Sequence, residues 1–234
     1  MKFPCRLDKF ISHLGEIPRT HAKAAIKKKR VTVNGEITKQ LDKPITEQDE
    51  IMLDGEVLVY QGMRYFMLNK PEGFVCANSD DLHATVLELL EEPNLGELHI
   101  AGRLDIDTTG LVLISNDGQW THQITSPKKQ KFKTYLVEIA EPLSEDDIDA
   151  LETGVQLHGE RELTQPAKVE VLAPYQIRLH IVEGKYHQVK RMLAAVGNKV
   201  VTLHREAVAG IVLDDDLAPG EYRQLNDEEI NLAK

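Results

Sequence analysis

The sequence predicts an α+β protein in two parts, and three observations carry that prediction. Strand signals outnumber helix signals along most of the chain, which favours a mixed, mostly antiparallel sheet. Charge is divided unevenly: the first 43 residues hold eleven Lys/Arg against four Asp/Glu, a net +7, so the other residues carry −17 of a total of −10. A Gly-bounded stretch near Gly55 to Gly62 reads as a short linker, which puts the parts at residues 1–60 and 61–234.

In the basic part, Leu7, Phe10, Ile11 and Leu14 are spaced as one apolar helical face, with Gly15 as its stop. Pro18 suits the start of a second helix, where its missing N–H costs little. Ala22, Ala25 and Ile26 form that helix's buried stripe, leaving Arg19, Lys23, Lys27 and Lys28 for water or phosphate. Asn34-Gly35 within Val31-Thr32-Val33-Asn34-Gly35-Glu36-Ile37 suits a type I′ hairpin turn, in which both central residues need positive φ.

The acidic part opens with a strand at Tyr65–Asn69. Thr85 followed by Glu88 signals a capped short helix. Leu111–Ser115 is a dense apolar strand, and Tyr135–Ile139 alternates as another. Ser144 caps an acidic helix running to Leu151. Lys168–Leu172 and Gln176–Val182 read as paired strands, and Gln188–Val196 as a helix ending at Gly197.

Composition excludes several classes. No run of about 18 apolar residues is present, so a transmembrane helix is not expected. The first ten residues lack the apolar region of a signal peptide. Cys5 and Cys76 sit far apart without metal-ligand spacing, so neither a disulfide framework nor a metal centre is expected, and the default compartment is a reducing cytoplasm. His99, His122, His180, His187 and His204 are too dispersed for a metal site. No long apolar seam or heptad is visible, and a monomer is expected. A basic head on an acidic body fits a protein that meets a polyanion through one face.

The chemistry concentrates in Gly102-Arg103-Leu104-Asp105-Ile106-Asp107-Thr108-Thr109-Gly110. Two carboxylates and an arginine lie between glycines that permit tight turns. On chemistry alone this is either a catalytic loop with a nucleophilic or basic carboxylate or a surface turn hydrogen-bonded by Asp and Thr. The residues by themselves leave both open.

Arg103-Leu104-Asp105 followed by Thr108-Thr109-Gly110-Leu111 resembles the catalytic motif of the RsuA/RluA-type RNA pseudouridine synthases. Leu68-Asn69-Lys70-Pro71-Glu72-Gly73, Lys133-Thr134-Tyr135 and Glu183-Gly184-Lys185-Tyr186-His187-Gln188-Val189-Lys190-Arg191-Met192 are similar to that family's other motifs, in the same order. Residues 5 to 55 resemble the S4 RNA-binding domain through Arg6-Leu7-Asp8-Lys9-Phe10, the second basic helix and the Val31–Gly35 turn.

The resemblance implies a pseudouridine synthase fold, a sheet with a central cleft, behind an S4-like head. It implies isomerisation of a flipped uridine without cofactor or metal. The implied substrate is 16S ribosomal RNA or a small-subunit assembly intermediate, at uridine 516 in the usual rRNA numbering. A synthase for another RNA, or a non-catalytic ribosome-associated RNA-binding protein, are the alternatives.

By the same resemblance Asp105 is the catalytic carboxylate, with Asp107 as a rival whose other role is local hydrogen bonding within the turn. Arg103 fills the hole left by the flipped base, or else forms a salt bridge. Tyr135 stacks on the uracil and assists proton removal at C5, or else is a core tyrosine. Lys190 pairs with Asp105, where many related enzymes carry Arg. Lysine lacks the guanidinium fork, so Arg191 is a candidate to share or replace that role. Arg19, Lys23, Lys27 and Lys28 match the basic face of the S4 domain and are expected at phosphates, where they position RNA without reading sequence.

Overall fold

The computed structural model describes residues 1 and 3–233, which form two compact units, Met1–Met63 and Arg64–Lys234. In the first unit, β1 (Cys5–Arg6) leads into α1 (Leu7–Leu14) and α2 (Arg19–Lys27). Then follow β2 (Val31–Val33), β3 (Glu36–Ile37), β4 (Pro44–Ile45), β5 (Ile51–Leu53) and β6 (Glu56–Val57). The sheet order is β3-β2-β5-β6, and β1 pairs with β4. Leu7, Phe10, Ile11, Ala22, Ala25 and Ile26 all turn inward and form the core with Val31, Val33, Ile45 and Ile51. This is the burial that the apolar spacing predicts.

Asn34 (φ 52°) and Gly35 (φ 79°) make the expected positive-φ turn between β2 and β3. Pro18 stands just outside α2, at its N-cap. The linker assignment needs correction: Asp54 (φ 54°) and Gly55 (φ 88°) form a second two-residue hairpin, β5–β6, inside the stretch read as linker. Leu58 and Tyr60 still pack on the head's core. Asp-Gly is a turn signal of the same kind as Asn-Gly.

Arg19 also departs from expectation. Asp8 is fully buried and accepts hydrogen bonds from Arg6 (3.1 and 3.2 Å) and from Arg19 (3.1 and 3.3 Å). Burial pushes the Asp8 carboxyl up, but the bonds from Arg6 and Arg19 outweigh it and hold it below the usual range. A buried carboxylate without these partners would be strongly destabilising. Arg19 therefore ties α2 to α1, and its guanidinium is already engaged. Lys27 and Lys28 stand exposed at the end of α2, with Lys23 half-buried.

The second unit contains β7 (Tyr65–Lys70), β8 (His99–Ala101), β9 (Thr109–Ser115), α3 (Gly118–Thr125), β10 (Lys133–Ile139), α4 (Glu145–Thr153), β11 (Lys168–Ala173), β12 (Gln176–Ile181), α5 (Gln188–Ala195), β13 (Val200–Val208), β14 (Ile211–Val212), β15 (Tyr222–Gln224) and α6 (Asp227–Leu232). Its sheet runs β11-β12-β10-β13-β9-β7-β15, with β14 beside β13 and β8 beside β9. Every pairing among these strands is antiparallel except β9–β13. Cores lie on both faces of the sheet. One gathers Phe66, Leu68, Val112, Ile114, Val137, Leu179, Met192 and Leu193. The other gathers Met67, Leu111, Leu113, Trp120, Ile124 and Val208.

Ser144 caps α4 as expected, its hydroxyl accepting from the Asp147 N–H while Asp147 accepts from the Ser144 N–H. The Thr85 N–H donates to Glu88, but the segment it starts is one 3₁₀ turn, Val86–Leu89. Among the described residues no helix is long and apolar enough to cross a membrane.

Candidate active site

The parallel β9–β13 junction builds the site. At that junction Gly110 pairs with Arg205, so closely that a Cβ on Gly110 would lie 2.4 Å from the Arg205 carbonyl oxygen. Only glycine fits there, and its φ of +101° also lies in the glycine-favouring region. The loop from Gly102 to Thr109 leaves this junction and is held from two sides.

On one side Arg205, which is 1% exposed, donates to the carbonyls of Leu111 (2.8 Å), Gly102 (2.8 Å) and Arg103 (3.4 Å). On the other, the buried Lys70 ammonium at the end of β7 donates to the carbonyls of Thr108 (2.7 Å), Pro71 (3.0 Å) and Ile106 (3.2 Å). Burial pushes the Lys70 pKa down. Two buried cations thus satisfy loop carbonyls that would otherwise be orphaned. Neither task is legible in the sequence: Lys70 stands in a strand motif, and Arg205 in a strand whose apolar pattern is weak.

The loop lines a cleft of about 680 Å³, within the range of small-molecule sites. Arg103, Asp105, Tyr135 and Lys190 all border it, so residues far apart in the sequence converge on one space. Arg103 is exposed and makes no ion pair among the described residues, leaving its planar group available for stacking. Tyr135, 7% exposed on β10, belongs to the core and also lines the cleft.

The carboxylates differ from expectation. The Lys190 ammonium, on the first turn of α5, lies 3.3 Å from Asp105 Oδ2. It donates more closely to both oxygens of Asp107, at 2.6 and 2.8 Å. Asp107 is therefore not confined to hydrogen bonds within its turn, and Lys190 bridges two carboxylates. The bond from Lys190 holds the Asp107 carboxyl below the usual range. Burial disfavours the Lys190 ammonium, but its bonds to Asp107 and then Asp105 prevail and raise its pKa. The second carboxylate compensates for the missing fork: it pins one side of a point charge whose other side faces Asp105.

Arg191 does not share this task. It donates to the carbonyls of His158 (2.6 Å) and Tyr186 (2.9 Å) and pairs with Glu160 at 3.3 Å. One turn geometry explains the difference: neighbours on a helix point about 100° apart, so Lys190 and Arg191 face different partners. His187 instead approaches Asp105, its Nε2 3.5 Å from Oδ1, with its ring stacked on Tyr186 at 3.8 Å. Its left-handed backbone (φ 47°) places it at the N-cap of α5. The Gln188 side chain braces this loop, accepting from the Lys185 N–H and donating to Glu183.

Lys190→Met is expected to cut any reaction that depends on Asp105 by about a hundredfold, with Lys190→Arg restoring most of it. Single-turnover rates of the three proteins check this; equal rates for Met and Lys would show that the bridge has no part in the chemistry.

The profile of the RNA pseudouridylate synthase family matches residues 64–195, and that of the S4 domain matches residues 5–51. Ribosomal small subunit pseudouridine synthase A of Escherichia coli (strain K12) is 55% identical over 226 residues, covering 96% of this chain and 98% of that protein. The Haemophilus influenzae protein of the same name is 50% identical over 226 residues, covering 96% and 97%. A crystal structure of a pseudouridylate synthase matches with a TM-score of 0.72 and 49% identity, covering 98% of this chain and all of that one. With two family profiles in the order that the two units require, and relatives matched along nearly their whole length, the chain belongs to the RNA pseudouridylate synthase family and carries an S4 domain before its synthase domain.

Proposed function

We propose that this protein converts one uridine of small-subunit (16S) ribosomal RNA to pseudouridine, at uridine 516 in the usual rRNA numbering, with Asp105 as the catalytic carboxylate. The observation that carries the chemistry is the convergence of Asp105, Tyr135 and Lys190 on one cleft with Asp105 beside an ammonium. The choice of RNA is supported by the relatives that match across the chain and are named for the small subunit.

The reaction breaks the C1′–N1 bond, turns the base and joins C1′ to C5, after which the C5 proton leaves. It is redox-neutral and gains no atoms, so the residues of the cleft suffice for its proton and charge transfers. The nucleotide must leave its stack to enter the cleft. Arg103, planar and exposed beside Asp105, fills the vacated space by stacking. Tyr135 supports the face of the uracil and assists transfer of the C5 proton to solvent. Lys190, 3.3 Å from Asp105 Oδ2, orients the carboxylate toward C1′, so that it serves either as nucleophile or as stabiliser of a glycal-like species. Lys23, Lys27 and Lys28 meet phosphates, giving salt-dependent affinity without base readout. Arg19 holds Asp8 and supports that face.

Unmodified 16S RNA, free and in partly assembled subunits, is the test substrate, with large-subunit RNA as the control. Carbodiimide treatment and primer extension should show one new stop, in small-subunit RNA. A stop only in large-subunit RNA would redirect the enzyme to that substrate. No stop in any RNA or particle would favour a binding protein.

A further inference from the structure

We propose that Lys133 is a further substrate-binding residue, whose ammonium donates to an electron-rich oxygen of the nucleotide held in the cleft. This rests on the reading of the cleft as a nucleotide site. Lys133 opens β10 two residues before Tyr135, so both side chains lie on the same face of the strand. Both border the cleft and each is 7% exposed.

An ammonium has three donors. That of Lys133 makes a single hydrogen bond, to the Lys131 carbonyl, at the long limit of 3.5 Å. No carboxylate pairs with it among the described residues. The charged groups that act on it are Arg205, which repels it, and Glu183, which attracts it from beyond ion-pair distance. Glu183 is itself engaged by the Gln165 N–H and the Gln188 amide. Lys70 and Arg205 are also buried, yet Lys70 spends its three donors on three carbonyls and each nitrogen of the Arg205 guanidinium donates to a carbonyl. Lys133 is the buried cation of the cleft left short of acceptors.

Such a group raises the energy of the empty protein, and an incoming oxygen acceptor relieves it. A flipped uridine brings two kinds: the carbonyls of the uracil edge and the oxygens of its phosphate. Burial, followed by repulsion from Arg205, pushes the Lys133 pKa down to about 8. Its donor capacity as a cation therefore ends in mildly alkaline solution.

Lys133→Met and Lys133→Arg test this in the full-length protein, on unmodified small-subunit RNA. At neutral pH the Met variant is expected to lose about ten- to a hundredfold in single-turnover kcat/KM, and yet to melt at a higher temperature than wild type. A residue with only a structural role would not give opposite signs. The wild-type rate should decline as pH rises through about 8, and the Arg variant should carry its plateau to higher pH.

RNA affinity measured on Asp105→Asn with and without Lys133→Met keeps the proposal separate from the reaction. If wild type forms no pseudouridine but the second substitution weakens RNA binding, the reaction assigned above falls and Lys133 stands. A salt slope reduced by about one identifies phosphate as the acceptor, and an unchanged slope with weaker binding identifies a base carbonyl. A Met variant with wild-type rate and affinity, or one whose loss of activity follows a lowered melting temperature, overturns the proposal.

Discussion

Asp105→Asn is expected to lower pseudouridine formation by about 10⁴-fold or more while RNA binding persists. Asparagine has the shape of aspartate and retains an oxygen toward Lys190, so packing is preserved. What disappears is the negative charge and the nucleophilic or basic oxygen. Lys190 is not left as an uncompensated buried cation, because Asp107 holds it at 2.6 and 2.8 Å. The melting temperature should therefore stay within a few degrees of wild type. The companion variant is Asp107→Asn, which removes the closer partner of Lys190 and leaves the ammonium to Asp105 alone at the 3.3 Å contact. Its rate should stay within about tenfold of wild type. Primer-extension mapping and single-turnover rates on both variants assign the chemistry. If Asp107→Asn is the dead protein and Asp105→Asn retains more than about a hundredth of the rate, the roles of the two carboxylates are reversed.

Much of this fold is legible in the sequence wherever one local rule dominates. Leu7, Phe10, Ile11, Ala22, Ala25 and Ile26 fall on helical faces and are all buried. Asn34-Gly35 makes its hairpin, and Ser144 with Asp147 starts its helix. The elements that the sequence hides have only a weak local signal. Strand β13 reads Val-Val-Thr-Leu-His-Arg-Glu-Ala-Val, with three polar residues consecutive, and is held in the sheet by β10 on one side and β9 on the other. Tertiary pairing overrides its weak pattern. Helices α3 and α6 do carry caps, Asp117 accepting from Gln119 and Trp120, and Asn226 accepting from Glu229. Their apolar stripes are too short for periodicity alone to reveal.

The site was legible as motifs but not as partnerships. Sequence order places Asp105 and Lys190 far apart, and the resemblance joins them. That Lys190 lies closer to Asp107 depends on the length of one side chain against the curvature of one loop, which no spacing encodes. The task of Arg205 is equally hidden. A buried arginine serving carbonyls of Gly102, Arg103 and Leu111 is a long-range contact, made possible by the single parallel pairing in the sheet.

That pairing makes Gly110→Ala the second substitution with a large expected effect, here on stability. At Gly110 φ is +101°, and the added methyl would meet the Arg205 carbonyl oxygen at 2.4 Å and its nitrogen at 2.7 Å. Both obstacles are backbone, so no rotamer change can relieve them; β9 and β13 must separate. The expected cost is about 4 kcal/mol or more, a fall of about 10 °C in the melting of the synthase domain. Gly159→Ala is the control, because Gly159 also has positive φ (+81°) but nothing stands within 4 Å of its would-be Cβ. It should cost only the conformational strain, about 1 kcal/mol. The difference between the two variants isolates the close approach of the strands from the backbone conformation. Because Arg205 reaches Gly102 and Arg103 from the same junction, any Gly110→Ala protein that remains folded at low temperature should still react slowly: its strands are paired less closely, and the loop carrying Asp105 is held from one side, by Lys70. Equal melting of the two alanine variants would mean that the junction can widen at no cost, and that the position of Asp105 does not depend on it.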